Sequence, residues 1–279
     1  MTNGEAIPHP KMSISGDIGS GKSAVGRLLQ EELGLTGYST GSMQRQIAAR
    51  HGMTTLELNR YSETHPEIDE EIDAASIELG KRDESFLIDS RIAWHFIPHS
   101  FKVYLAVATA VAAERILGDR DRTSESYDDV AVAREKIVHR RHSEVERFRS
   151  TYGIDLSDLG NYDLVVDTSA SPPEDVAAVI SRGFRAFADG RSRGAAAFLP
   201  PARILSPRGG HDRLEGSGVR VFRRGDLYFL VGGHDRLQEA QAGEAGLVAA
   251  ELVPDTGDSL DGYDLTSVRE WEKHHGLCF

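Results

Sequence analysis

Short apolar runs alternate with stretches of helical period along the first two thirds of the chain. The runs have the length and character of buried strands and are Lys11 to Ser15, Phe86 to Ile88, Lys102 to Ala106 and Leu164 to Val166. Between them, apolar residues recur every three or four positions, which is typical of amphipathic helices. Strands that alternate with helices predict a parallel sheet covered by helices on both faces. Ligands are then expected at the carboxyl ends of the strands, where Gly16, Asp89 and Thr168 fall.

Several helices carry recognisable start signals. Ser42 is predicted to cap the helix that carries Arg45, and Thr55 to cap a brief helix that ends at Tyr61. Pro66 begins a longer helix with an apolar stripe from Ile68 to Leu79. Further helices are predicted over residues 24–33, in the segment that contains Val111 and Arg115, over about 130–152, and from residue 171 onward.

A second, smaller domain is predicted at the C-terminal end. Residues 189–198 begin with small and flexible residues and are interpreted as a linker between a domain at 1–188 and a domain at 199–279. Beyond it, Val219 to Phe222 and Leu227 to Val231 predict a hairpin that turns at Arg224-Gly225-Asp226. A helix and a strand near Ala249 to Val253 follow, so this part is expected to be α+β.

Composition narrows the classes of protein and partner. The chain has 279 residues, a net charge of −12 and a single cysteine, Cys278. One cysteine excludes an internal disulfide framework, and the absence of a long apolar run leads us to expect a cytoplasmic protein with no membrane partner. From Phe198 onward there are 9 basic and 13 acidic residues, which argues against nucleic acid as a partner. The oligomeric state stays open.

The motif with the clearest chemistry is Gly16-Asp17-Ile18-Gly19-Ser20-Gly21-Lys22-Ser23. It follows a predicted strand and opens a predicted helix, which is the context of a phosphate-binding loop. Glycines let successive backbone N–H groups surround a phosphate, Lys22 reaches the outer phosphates, and the Ser23 hydroxyl can ligate Mg²⁺. The motif alone does not define what accepts the phosphate.

Charged residues downstream are candidates for the acceptor side. Asp89 ends a buried strand and can hold Mg²⁺ through water, although a turn or capping role is the alternative. Arg45 and Arg91 suit phosphate oxygens, because guanidinium groups bind them in a fork. The long helix offers two stripes of arginines: Arg134 and Arg141 lie in its apolar stripe, whereas Arg140 and Arg147 lie with Glu144 in a polar one.

Several segments together resemble the short, archaeal-type cytidylate kinases, from about Lys11 to Arg182. The segments are Ile14 to Ser23, Ser39 to Arg45, Pro66 to Asp73, Asp89-Ser90-Arg91, Ala113 to Ile116, Arg147 to Asp155 and Tyr162 to Ser169. The resemblance implies a P-loop nucleoside-monophosphate kinase core with a lid. It also implies ATP and Mg²⁺ as cofactors and a small-molecule nucleotide as acceptor.

The resemblance assigns roles by motif position. The residues that serve ATP are Gly16, Gly19, Ser20, Gly21, Lys22 and Ser23. Ser23 and Asp89 hold Mg²⁺, while Arg45, Asp69 and Arg91 bind the acceptor. Arg115 is similar to the arginine that covers the adenine, and Arg120 reaches phosphate. Arg140 and Arg147 match the catalytic helix arginines, and the implied mechanism is direct in-line transfer.

Two departures from the family pattern concern the acceptor. Ser42 stands where the family often has an aspartate, and Asp89-Ser90-Arg91 replaces a common Glu-Gly-Arg. CMP or dCMP is therefore the favoured acceptor, and another small metabolite is the alternative.

The C-terminal part resembles the ParB/sulfiredoxin-like fold through the strand and turn that end in Gly232-Gly233-His234-Asp235-Arg236. Gly233, His234 and Arg236 are candidates for an anion site, with a purely structural turn as the alternative. A nucleotide-regulated binding protein acting through this domain is a further hypothesis. The hexapeptide Gly-Gly-His-Asp-Arg-Leu occurs a second time at residues 209–214, without a preceding apolar strand. His211, His234, His274 and His275 have no spacing that predicts a metal site.

Overall fold

The computed structural model describes residues 5–62, 65–118, 129–191, 196–206, 218–243 and 245–255. The strands are β1 (Lys11–Gly16), β2 (Thr36–Ser39), β3 (Phe86–Asp89), β4 (Phe101–Ala106), β5 (Leu164–Asp167), β6 (Ala196–Leu199), β7 (Ile204–Leu205), β8 (Val219–Arg224), β9 (Leu227–Gly232) and β10 (Val248–Leu252). The helices are α1 (Lys22–Leu33), α2 (Thr40–Arg50), α3 (Thr55–Ser62), α4 (Pro66–Gly80), α5 (Ala93–Phe96), α6 (Thr109–Gly118), α7 (Val130–Tyr152), α8 (Pro173–Ala188) and α9 (His234–Ala242). The predicted mixed α/β class, with mostly parallel strand pairs, is confirmed.

The long helix α7 shows how local sequence defines an element. Its N-cap is Asp129, whose side chain accepts a hydrogen bond from the Val132 N–H at 2.8 Å. It ends at Gly153, which adopts the left-handed conformation with φ of 67°. The predicted bounds of about 130–152 are therefore confirmed.

Contacts divide the chain into two compact units. The first takes its residues from Met1–Ser15, Lys22–Val103 and Ala177–Arg193. In it, β2 and β1 flank β3, and both pairs are parallel. Ile14 and Ser39 both lie opposite Asp89, so the carboxyl ends of the three strands meet at one edge. Helices α2, α3 and α4 enclose a separate cluster of buried apolar side chains formed by Ile47, Ala48, Leu58, Ile68 and Ile72.

The second unit takes its residues from Gly16–Gly21, Tyr104–Val176 and Gly194–Phe279. The strand order in it runs from β5 through β6, β10, β8 and β9 to β7. β5 and β6 are parallel, β6 and β10 antiparallel, and β8 and β9 form the predicted hairpin. Ile18 packs with buried residues of α6 and α7, including Ala112, Ala133 and Ile137. The phosphate-binding motif thus contributes directly to the core of this unit.

The structure corrects several local predictions. Ala196–Leu199, expected at the end of the linker, form strand β6 between β5 and β10. The N-cap of α2 is Ser39 and not Ser42, because the Ser39 hydroxyl accepts from the Ser42 N–H at 3.1 Å. Thr54 takes the capping position predicted for Thr55, since its hydroxyl accepts from the Glu57 N–H at 3.2 Å. Strand β2 and the short helix α5 had no prediction.

In this division the described C-terminal strands group with β5, α6 and α7. The domain boundary expected at residues 189–198 stays a prediction. In the described part of the chain, no helix combines the length and the apolar character that crossing a bilayer requires.

Candidate active site

The loop between β1 and α1 has glycine where the backbone requires it. Gly16 has a φ of +149°, and a Cβ there would lie 2.3 Å from the Leu105 carbonyl oxygen. Gly19 has a φ of +77°, and its Cβ would lie 2.9 Å from the Cα of Ala112. Both positions therefore exclude any other residue without a shift of the backbone. Gly21 also has a positive φ, +82°, but open space surrounds it.

Carbonyl oxygens of the loop are fixed by two side chains. Arg115 on α6 donates to the Gly19 oxygen at 3.2 Å and to the Thr168 oxygen at 2.6 Å. The Thr168 hydroxyl in turn donates to the Ser20 oxygen at 3.1 Å. Burial lowers the pKa of Arg115 from its ordinary value, against the opposing effect of Asp167. These bonds fix the backbone of the loop at Gly19 and Ser20.

Ser20 supplies a further indication of a bound group. It is 1% exposed, and its hydroxyl has no hydrogen-bond partner within the described part of the chain. A buried hydroxyl is normally paired, so an unpaired one in a glycine-rich loop fits a ligand oxygen.

The side chain of Asp17, the second residue of the motif, is buried. Its carboxylate accepts from the Tyr104 hydroxyl at 2.9 Å and from the Val107 N–H at 3.1 Å. It also forms ion pairs with Arg141 at 3.0 Å and with Arg223 at 3.7 Å. Burial and the neighbouring Asp17 charge raise the pKa of Tyr104, so its hydroxyl stays protonated as a donor. The Asp17 carboxylate therefore binds protein groups and anchors the loop to β4, α7 and β8.

In the first unit, Asp89 lies at the carboxyl end of β3 and directly follows buried Ile88. Burial raises the pKa of Asp89, and the positive charges of Lys22 and Arg91 partly offset the effect. The turn after Asp89 is fixed, because the Ser15 hydroxyl donates to the Ser90 and Arg91 oxygens at 2.7 and 2.8 Å. The charge of Lys22, at the start of α1, therefore acts on the Asp89 carboxyl group.

The residues expected to bind the acceptor lie on elements of the same unit. Arg45 is exposed on α2, and a Cβ on Gly41 would lie 3.6 Å from its Nη1 atom. Asp69 on α4 is half-buried and follows the core residue Ile68. Arg91 is half-buried, and its carbonyl oxygen accepts from the indole N–H of Trp94 at 3.2 Å. The first unit therefore carries the whole predicted acceptor set.

The arginines of α7 separate into two environments. Arg140 is exposed and hydrogen-bonded to Glu144 at 3.0 Å, and Arg147 is exposed with its guanidinium 5.6 Å from the Phe148 ring centre. Arg141 instead pairs with Asp17 and with Asp226 of the C-terminal hairpin. Its position in the apolar stripe was the sequence signal for burial, whereas no signal in the sequence indicated that Asp17 and Asp226 are its partners. Arg120 lies outside the described residues.

The predicted anion residues of the C-terminal part have a structural setting of their own. Gly233 has a φ of +85°, and its Cβ would lie 2.3 Å from the Gly218 oxygen, so close backbone contact explains this glycine. His234 is buried. Arg236 is exposed, pairs with Glu239 at 3.2 Å and borders a cavity of about 460 Å³. Anion binding at this turn stays a prediction, and His211, His274 and His275 lie outside the described residues.

A glycine-rich loop at the amino terminus of a helix can bind a polyphosphate. A carboxylate can hold the cation of that polyphosphate. The family model described as the cytidylate kinase-like family matches residues 12–170. The chain is 35% identical over 158 residues to the cytidylate kinase of Methanothermobacter thermautotrophicus, which covers 57% of this chain and 94% of that relative.

It is also 35% identical over 173 residues to an S-adenosylmethionine-dependent nucleotide dehydratase of Lacinutrix mariniflava, covering 61% of this chain and 35% of that protein. Among solved structures, an uncharacterized protein from Eubacterium ventriosum aligns with a TM-score of 0.50 and 14% identity, covering 63% of this chain and 98% of the other, which supports the fold alone. The C-terminal part lies outside the family match, so its ParB/sulfiredoxin-like resemblance stays a prediction. With a match that spans more than half of its length, this chain belongs to the cytidylate kinase-like family.

Proposed function

We propose that the protein transfers the γ-phosphoryl group of ATP to a nucleoside monophosphate, and that the acceptor is CMP or dCMP. The observation that carries the proposal is the register of β1 and β3. Ile14, just before the loop, lies opposite Asp89, and the charge of Lys22 acts on that carboxyl group. Phosphate-binding and cation-binding groups are thereby neighbours, as phosphoryl transfer requires.

The donor side is supported by the loop itself. The backbone from Gly19 to Ser23 is proposed to hold the β- and γ-phosphates at the amino terminus of α1, with Lys22 as the side-chain cation. The unpaired Ser20 hydroxyl fits a phosphate oxygen.

The residues also fit Mg²⁺. Ser23 is exposed at the start of α1, and Asp89 offers a carboxylate, so hydroxyl and carboxylate oxygens are the available ligands. When bound, Mg²⁺ would neutralise charge on the phosphates.

Arg45, Asp69 and Arg91 are proposed to bind the acceptor. The two guanidinium groups suit the acceptor phosphate, and Asp69 suits hydrogen-bond donors of the nucleoside. Arg120, Arg140 and Arg147 are proposed to compensate the charge that spreads over the transferring group. No residue needs to form a covalent intermediate, because an acceptor phosphate oxygen attacks the γ-phosphorus directly.

The acceptor is the part of the proposal that most needs a test. Similarity to cytidylate kinases favours cytosine nucleotides, whereas similarity to part of a nucleotide dehydratase means that a related module also occurs within a larger protein with a different activity in its name. The decisive experiment incubates the full chain with Mg-ATP and a panel of nucleoside monophosphates and phosphorylated metabolites, and identifies products by mass. CDP or dCDP as the main product supports the proposal, and turnover of a different metabolite alone overturns it.

Substituting Lys22→Ala tests the catalytic site. We expect kcat to fall by at least about 100-fold, since one preorganised charge on the transferring phosphate is lost. Lys81→Ala is the matched control, because Lys81 is exposed and pairs only locally with Glu78. Equal activity of the two variants contradicts the assignment of the loop.

A further inference from the structure

The turn of the C-terminal hairpin contributes a buried carboxylate beyond residue 170, where the family match ends. Asp226 follows Gly225, which has a φ of 58°, and is 1% exposed. Its carboxylate has three donors in the second unit: the Thr109 N–H at 2.8 Å, the Thr109 hydroxyl at 2.5 Å and Arg141 at 2.8 Å. Asp226 therefore satisfies the amino terminus of α6, the helix that carries Arg115, and also binds α7.

Arg141 connects this carboxylate with the phosphate-binding loop. One nitrogen of its guanidinium lies 2.8 Å from Asp226 and the other 3.0 Å from Asp17. The contact with Asp226 is a hydrogen bond, whereas the contact with Asp17 is an ion pair without hydrogen-bond geometry. The planar guanidinium thus places its charge between two carboxylates. The bridge joins residues of α7, the hairpin turn and the loop.

The hairpin supplies a second charge to the same cluster. Arg223 on β8 lies 3.7 Å from Asp17, so two arginines balance the charges of Asp17 and Asp226. Burial by itself would raise the pKa of Asp226, but Arg141, Arg223 and the Thr109 donors lower it below its ordinary value. Replacing any one of these four charged residues by a neutral residue leaves an uncompensated charge that little water can screen.

We propose that Asp226 is a positioning residue for the ATP site. It holds Arg141, which pairs with Asp17, so that the loop keeps the backbone conformation that binds the phosphates. The inference rests on the proposed function, because it takes the Gly16 to Ser23 loop as the ATP site. It assigns to the C-terminal hairpin a role in nucleotide binding that lies outside the family-matched residues.

The test is calorimetric titration of the full chain with Mg-ATP, and separately with CMP. Asp226→Asn keeps the shape of the side chain and removes its charge. We expect the Kd for Mg-ATP to rise about tenfold, the value of one charged hydrogen bond, while the Kd for CMP stays within about twofold. Asp235→Asn is the control, because the Asp235 side chain is exposed, and this variant should bind both ligands as the native chain does.

Arg141→Lys is the second variant, in case Asp226→Asn does not fold. It keeps the positive charge but loses the planar fork that bridges two carboxylates, so weaker Mg-ATP binding with unchanged CMP binding is again expected. Native affinity for Mg-ATP in the folded variants overturns the inference. A parallel loss of ATP binding, CMP binding and thermal stability also overturns it, because the role would then be stability alone.

The proposed function fails in a different way. A native chain that binds Mg-ATP but phosphorylates neither CMP nor dCMP contradicts the kinase proposal, while the comparison of ATP affinities still decides the role of Asp226.

Discussion

Replacement of Arg203 by methionine tests how firmly the C-terminal region is joined to the end of β5. Arg203 is paired with Asp167 at 2.5 Å, donates to Ser169 and binds the carbonyl oxygen of Asp226. Asp167 is fully buried and Arg203 is 9% exposed. Arg203→Met removes the ion-pair partner of the buried Asp167 carboxylate, and breaking a buried pair in this way costs about 3–5 kcal/mol.

The assay is urea unfolding followed by circular dichroism. With a slope of about 3 kcal/mol per molar urea, the expected loss lowers the midpoint by about 1 M or more. Arg220→Met is the matched control from the same region, since Arg220 pairs with exposed Glu251 and its loss should cost at most about 1 kcal/mol. Adding Asp167→Asn to Arg203→Met should restore part of the stability, because the uncompensated charge is gone. A loss for Arg203→Met no larger than that of the control would refute the reasoning.

Two further predictions concern the loop and the hairpin turn. Gly16→Ala brings a Cβ to 2.3 Å from the Leu105 oxygen at a φ of +149°. We therefore expect thermal unfolding to show that the free energy of unfolding falls by at least about 2 kcal/mol. Gly34→Ala is the control, because Gly34 has a φ of +64° and open space around it, and the change should cost about 1 kcal/mol. Because the pKa of Asp226 is lowered, its charge stabilises the fold above the unfolded pKa of about 3.9 and this contribution is lost as pH falls further. Native and Asp226→Asn chains should therefore differ less in stability at pH 2 than at pH 6, and an unchanged difference would count against a charged Asp226.

Local signals predicted most of the secondary structure. The bounds of α7 follow from Asp129 and Gly153, which are adjacent to the helix they delimit. Caps were displaced by one to three residues at α2 and α3, because each segment has more than one serine or threonine that can serve as a cap. Strand β6 was missed, since alanine has little strand preference and only its partners β5 and β10 define it.

The sequence by itself determined the phosphate-binding loop, its flanking strand and helix, and the resemblance of residues 11–182 to cytidylate kinases. These signals reside in consecutive residues and in their spacing, so no long-range contact is needed to recognise them. Only the tertiary structure joined Asp17, Arg141 and Asp226, which lie far apart in the chain. Each charge alone is typical of a surface residue, and it becomes a buried bridge because folding removes it from water and supplies its partner.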